Sequence, residues 1–180
     1  MKDAGKYVWT AIIVALLAHF AFIHAVPRVM MWVAIDRVSS EGARYNAWSF
    51  ADRVTPLSRT IVRPSPDFAY SACAYNLSDG PVVITATPWD AYWSLSLYAD
   101  NSDNFFVVDD REARAGVEIT LIRRGRTPPP DNSARVVESP TTRGIALIRR
   151  LAPDLESYNA AAEVAQGDVC APVASVTPSS

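Results

Sequence analysis

The chain is short of the side chains that most often do chemistry. Histidine occurs twice, at positions 19 and 24, and cysteine twice, at 73 and 170. With no histidine beyond His24, most of the chain has no means of forming a Ser-His-Asp triad, a histidine-based zinc hydrolase site or a Cys–His nucleophile. A four-ligand Cys/His zinc site is excluded as well, because both histidines fall in the apolar run described below. Lysine stops at residue 6: Lys2 and Lys6 are the only two, and the other 15 basic residues are arginines at or beyond Arg28. The formal charge of −2 argues against a general nucleic-acid binder. At 49% hydrophobic and 20% charged residues, wholesale disorder is excluded. The length of 180 residues allows one ordinary domain plus an appendage.

No formally charged residue occurs from Tyr7 to Val26. Twenty residues at the helical rise of about 1.5 Å span about 30 Å, the thickness of a bilayer's hydrocarbon core. The run ends at Pro27 and Arg28, with Tyr7 and Trp9 at one boundary and Trp32 beyond the other, where interfacial aromatics belong. A cleaved signal peptide is the competing reading. Its apolar stretch would be shorter, about 7 to 15 residues, and Ile23 and Ala25 make a poor cleavage signal. Length favours an uncleaved single-pass anchor.

Lys2 and Lys6 favour a cytoplasmic N-terminus, although Arg28, Arg37 and Arg44 flank the other side. This orientation puts the remaining chain outside the cytoplasm. His19 and His24 lie about 140° apart around a helix, so they cannot chelate one metal together. Neutral imidazoles packed against a partner helix are the simpler expectation than a haem ligand or proton relay.

Residues 28–44 mix apolar and charged positions at helical intervals, fitting either a helix along the membrane surface or packing onto the base of the domain. Residues 45–66, with Pro56, Pro64 and Pro66, read as an extended connector. The period then changes to two. Strands are expected at 68–75, 82–87, 92–98, 104–108, 117–123, 135–138 and 144–151, separated by turn signals such as Asp79-Gly80 and the three prolines of 126–132. A helix is expected from Pro153 to Gln166, ended by Gly167. The expected fold is mainly β: a single N-terminal transmembrane helix, then a β-sandwich or jelly-roll-like domain over 67–172 with one C-terminal helix covering an edge, then a disordered tail over 173–180.

Cys73 and Cys170 both lie beyond the anchor. In an exported domain a bond between them is favoured over two buried thiols, tying the C-terminal end to the first of the expected strands.

The polar candidates are carboxylates and arginines. Asp100-Asn-Ser-Asp-Asn104 has oxygen side chains at alternate positions, but it lacks the calcium-loop glycine and puts Arg111 where the closing glutamate belongs, so a turn is expected. Asp109, Asp110 and Glu112 flank Arg111, either a solvated loop or a site in which one carboxylate is raised by its neighbours. Arg123, Arg124, Arg126, Arg143, Arg149 and Arg150 are candidates to converge on an anion, with Arg143 and Arg149 retained alongside Asp109, Asp110 and Arg111 as the binding set. Of the aromatics, Trp93 shares a face with Leu95 and Leu97 and belongs to the core; Trp89 and Tyr92 are placed to line a pocket or partner surface.

The segments Pro66–Val83, Tyr92–Tyr98, Asn104–Glu112 and Arg143–Arg149 resemble the bacterial domain of unknown function 1254, as does the histidine-bearing hydrophobic helix followed by proline. The resemblance implies no reaction, no cofactor and no catalytic residue. In longer members this domain is joined to a second one, the domain of unknown function 1214. Here that second domain would come from a separate membrane-anchored partner. Two functions follow as expectations: a non-enzymatic envelope protein whose β domain binds a partner, or an envelope enzyme or small-ligand binder, for an anion or carbohydrate, using the acidic and arginine residues. A broad exposed apolar face would favour the first, and a pocket collecting those residues the second.

Overall fold

The computed structural model describes residues 2–55, 57–58, 63–130 and 132–173. Pro56 of the expected connector and residues 174–180 of the expected tail lie outside them.

The first helix, α1, runs over Lys2–Val38 with Pro27 inside it. Proline removes one backbone donor but does not end the helix. The helix stops where Ser40, Glu41 and Gly42 take positive φ values of 52°, 60° and 85°. There the buried Ser39 accepts the Gly42 N–H on its Oγ at 2.9 Å. The section from Gly5 to Val38 is long and apolar enough to cross a membrane.

Nine strands follow: β1 (Trp48–Phe50), β2 (Phe68–Asn76), β3 (Val82–Ala86), β4 (Trp93–Ala99), β5 (Asn104–Asp109), β6 (Val117–Arg123), β7 (Arg135–Ser139), β8 (Arg143–Leu151) and β9 (Cys170–Pro172), with helix α2 (Leu155–Ala165) before the last. They form an antiparallel five-stranded sheet, β1-β2-β8-β4-β5, and a four-stranded sheet, β7-β6-β3-β9. Within the second sheet β6 and β7 pair parallel. The inward positions of both sheets interdigitate: Cys73 and Tyr75, Leu95 and Leu97, Ala146 and Ile148 from one side, Val82, Ile84, Ile119 and Leu121 from the other. This is the mainly β sandwich that the period of two implies.

Residues 28–38, expected either as a helix along the membrane surface or as packing onto the base of the domain, continue α1, and Met31 and Ile35 pack on Ala74 and Ile145 of the five-stranded sheet's outer face. Two features depart from the expected element list. Strand β1 lies in the expected connector and pairs with β2, Trp48 opposite Cys73. Strand β9 pairs with β3, Cys170 opposite Ile84. Both extra strands are three residues long, too short to show a period.

Cys73 and Cys170 are disulfide-bonded, with Cα atoms 6.7 Å apart and 97 positions of chain between them. The bond joins β2 of one sheet to β9 of the other. Helix α2 begins at a capping box: the Asp154 carboxylate accepts the Ser157 N–H at 2.8 Å. Its fully buried Ala161 packs with Ala69 and Ala152, and the Tyr158 hydroxyl donates to the Ala51 carbonyl at 2.8 Å. The helix therefore covers the β1–β2 side of the sandwich at the end remote from α1.

Candidate functional site

Strand register decides which polar residues meet. On the outer face of the five-stranded sheet, Tyr70 lies opposite Arg149, Arg149 opposite Ser94, and Ser94 opposite Asp109. Four strands thus contribute one row, and Arg149 Nη2 donates to Ser94 Oγ at 3.3 Å. The Nε of Arg149 is buried and has no partner. Towards α1 the next row is Ala72, Leu147, Ser96 and Val107, and the row after it, including Ala74, Ile145 and Tyr98, is the one α1 covers. On the other side of the polar row stand Phe68 and Tyr92, edge to face with centroids 5.9 Å apart. Val107 is 55% exposed and Tyr92 38%.

Asp109 also organises the turn after β5, its Oδ1 accepting the N–H groups of Arg111 at 3.0 Å and Glu112 at 3.3 Å. Glu112 pairs with Arg135 at 3.0 Å, both largely exposed, a contact of small energetic weight. Asp110 turns away from the row. It lines a cleft of about 290 Å³ with Trp89, Trp93, Arg111 and Arg114, and its Oδ1 is buried without a hydrogen-bond partner.

Arg143 stands at the other end of β8, six residues from Arg149 and hence about 20 Å away. It lines a cleft of about 490 Å³ between the α1 end and the sheet, with Arg28, Trp32, Asp36, Glu41 and Asp100 among its neighbours. The turn carrying Asp100 is fastened to the helix: the Ser102 hydroxyl donates to the Pro27 carbonyl at 2.8 Å.

The remaining arginines of the expected anion set disperse. Arg123 donates to Thr142 Oγ1 at 2.7 Å, and with Arg126 and Asp79 it lines a separate groove of about 550 Å³. Arg150 points into the sandwich, 1% exposed, and grips Asp168 with Nη1 to Oδ2 at 2.9 Å and Nη2 to Oδ1 at 2.8 Å. It also donates to the Thr87 carbonyl at 3.0 Å, while Asp168 accepts the Thr87 N–H at 2.8 Å. This is architecture rather than a ligand site. The sequence held a signal for it: Arg150 shares the inward parity of Ala146 and Ile148, and a charge at an inward strand position needs a buried partner. Nothing in the sequence marked Asp168 as that partner.

A second buried polar group also went unmarked. Tyr75 is fully buried, its hydroxyl donating to the Tyr98 carbonyl at 3.0 Å and lying 3.0 Å from Ser139 Oγ. Burial pushes its pKa up to about 12, against the opposing pull of hydrogen bonds from Ser139 and Thr141.

A family model for "Protein of unknown function (DUF1254)" matches residues 45–172, so the chain belongs to that family. Among solved structures, the VPA0106 protein from Vibrio parahaemolyticus is similar over 86% of this chain and 37% of that one, at 14% identity with a TM-score of 0.65. A putative uncharacterized protein from Burkholderia cenocepacia is similar over 65% of this chain and 34% of that one, at 18% identity with a TM-score of 0.47. The chain therefore matches little more than a third of the length of either. A search of curated proteins gave no match. The first likeness supports the fold of the sandwich and carries no chemistry.

Proposed function

We propose that the protein is a single-pass inner-membrane protein whose periplasmic β-sandwich docks a partner protein on the outer face of the five-stranded sheet. The observation that carries this reading is the half of that face left bare by α1. Val107 and Tyr92 stand open there beside Leu147, Ala72 and Phe68, flanking a polar row with an unpaired Arg149 Nε. An exposed apolar surface interrupted by a few polar groups that want partners is suited to a protein interface. The dispersal of the polar candidates over opposite ends of the domain argues against one catalytic pocket.

The occupant we propose is a separate membrane protein carrying the domain of unknown function 1214. The similar Vibrio chain extends far beyond the matched region, leaving room there for a further domain. Photocrosslinking tests it. A crosslinking residue at position 107 should capture that partner in the native membrane, while one at Glu118, exposed on the other sheet, should not. Equal capture at both positions, or none at 107, would sink the reading. Orientation has its own test: a reporter active only in the cytoplasm, fused to the C-terminus, should be silent.

The small-ligand reading keeps one observation in its favour. Asp110, whose Oδ1 is buried without a partner, lines the cleft shared with Trp89, Arg111 and Arg114, a set able to hold a hydroxylated ligand.

A further inference from the structure

The cleft at the α1 end has a composition that neither the docking reading nor the family description uses. Two guanidinium groups, Arg28 and Arg143, share it with three carboxylates, Asp36, Glu41 and Asp100, and with Trp32. Among the described residues no ion pair joins these groups to one another. Its charges therefore sum to minus one, and Arg28, whose Nη1 donates to the His24 carbonyl at 2.8 Å, keeps its other N–H groups for a ligand.

Its height is fixed by the helix. The uncharged run ends at Val26, and at about 1.5 Å per residue Arg28 stands about 3 Å beyond it, Trp32 about 9 Å and Asp36 about 15 Å. A polar headgroup layer is about 5 to 8 Å thick on each side of the hydrocarbon. The hydrogen bond from Ser102 to the Pro27 carbonyl brings the β4–β5 turn, and Asp100 with it, down to the same level. Trp32 is 62% exposed at the depth where interfacial tryptophans lie.

From this juxtaposition we infer that the cleft binds a phosphoethanolamine headgroup of the surrounding bilayer. The phosphate meets Arg28 and Arg143, and the ammonium meets Asp100, which the Ser102 hydrogen bond holds at the headgroup level. Asp36, about 12 Å above Arg28 along the helix, and Glu41 lie beyond the headgroup layer and add only to the negative field of the cleft. A guanidinium holds a phosphate through charge-assisted hydrogen bonds, and a primary ammonium donates three such bonds to carboxylates. A choline headgroup has no N–H to donate. A glycerol headgroup leaves the phosphate's charge uncompensated beside an already negative cleft. The inference rests on the membrane-anchored reading, and binding of this lipid would set the angle at which the sandwich stands on the bilayer.

Native mass spectrometry of the full-length protein in detergent, with equal amounts of short-chain phosphatidylethanolamine, phosphatidylglycerol and phosphatidylcholine, tests it. Phosphatidylethanolamine should be retained roughly tenfold over the others, the equivalent of one charge-assisted hydrogen bond. The Arg28→Gln/Arg143→Gln variant should lose that retention, and Asp100→Asn should move the preference towards phosphatidylglycerol. All three side chains are exposed, and circular dichroism would establish that each variant keeps its fold. Equal retention of the three lipids, or retention unchanged in the arginine variant, would overturn the inference. Displacement of the lipid by free phosphoethanolamine would assign the cleft to a soluble ligand and overturn the lipid assignment. Alkaline carbonate extraction of membranes separates the two levels: protein that stays in the pellet yet shows no lipid preference refutes the headgroup site alone, whereas release into the supernatant refutes the anchor.

Discussion

Arg150 and Asp168 close on each other as a bidentate pair between the two sheets, at 2.8 and 2.9 Å, with side chains 1% and 0% exposed. The pair ties β8 to the segment leading into β9, and the disulfide two residues further on ties that strand to β2. The C-terminal end of the sandwich is thus held at adjacent points by a charge pair and a covalent bond.

Removing one partner should be costly. Asp168→Ala leaves the Arg150 charge buried and the Thr87 N–H without its acceptor, and should destabilise the sandwich by about 3 to 5 kcal/mol. Replacing both with apolar residues, Arg150→Met with Asp168→Leu, should cost clearly less, because no lone charge remains. Urea titration of the full-length protein in micelles, followed by tryptophan fluorescence, would measure both. A single variant as stable as the double would contradict the assignment.

Reduction offers a second check. The disulfide closes a loop of 97 positions, a constraint worth on the order of 4 to 5 kcal/mol in the chain-entropy account. Cys73→Ala/Cys170→Ala should lower the unfolding midpoint and expose β9 to proteolysis before the other strands. Labelling of unfolded, unreduced protein should find no free thiol.

Alkaline pH should act through Tyr75. Its folded-state pKa of about 12 lies above the ordinary tyrosine value of 10. Below pH 10 the phenol is neutral in both states and its contribution is fully present. Between pH 10 and 12 the unfolded chain ionises first, so stability falls by roughly 2 to 3 kcal/mol in total. In Tyr75→Phe that part of the pH slope should disappear, whatever the variant's stability at neutral pH.

Gly144 tests the closeness of β8 to its neighbours. A Cβ there would lie 2.1 Å from the Tyr98 carbonyl and 2.2 Å from the Tyr75 hydroxyl. Since one is backbone and the other a phenol fixed by hydrogen bonds, Gly144→Ala should cost about 3 kcal/mol or more. A thermal melt within a degree or two of the parent protein's would show that the strands are less tightly set than the structure indicates.

Period and composition carried most of the fold. The uncharged run, the alternation in Trp93–Leu97 with its serines on the opposite face, and the turn residues between strands are local signals that act over a few residues. They sufficed for the long helix, seven of the nine strands and α2. They failed for β1 and β9, three residues each, whose strand geometry comes from pairing with β2 and β3 rather than from their own pattern. They also left residues 28–44 between two readings, and the helix continues through Pro27 to Val38. There the packing of Met31 and Ile35 on the sheet offsets the lost backbone bond.

What the amino-acid order determined alone was therefore whatever depends on neighbours along the chain: an apolar rod of bilayer length, a domain built of strands, and the absence of histidine chemistry beyond residue 24. Tertiary structure decided which distant residues meet. It alone set Arg149 and Asp109 on either side of Ser94, sent Arg150 inward to Asp168, and gathered Arg143 with Arg28 and Asp36 at the helix. The physical reason is that register across a sheet is selected by burial summed over the whole core. A one-residue slip that hardly changes local propensity would turn every one of these side chains to the opposite face.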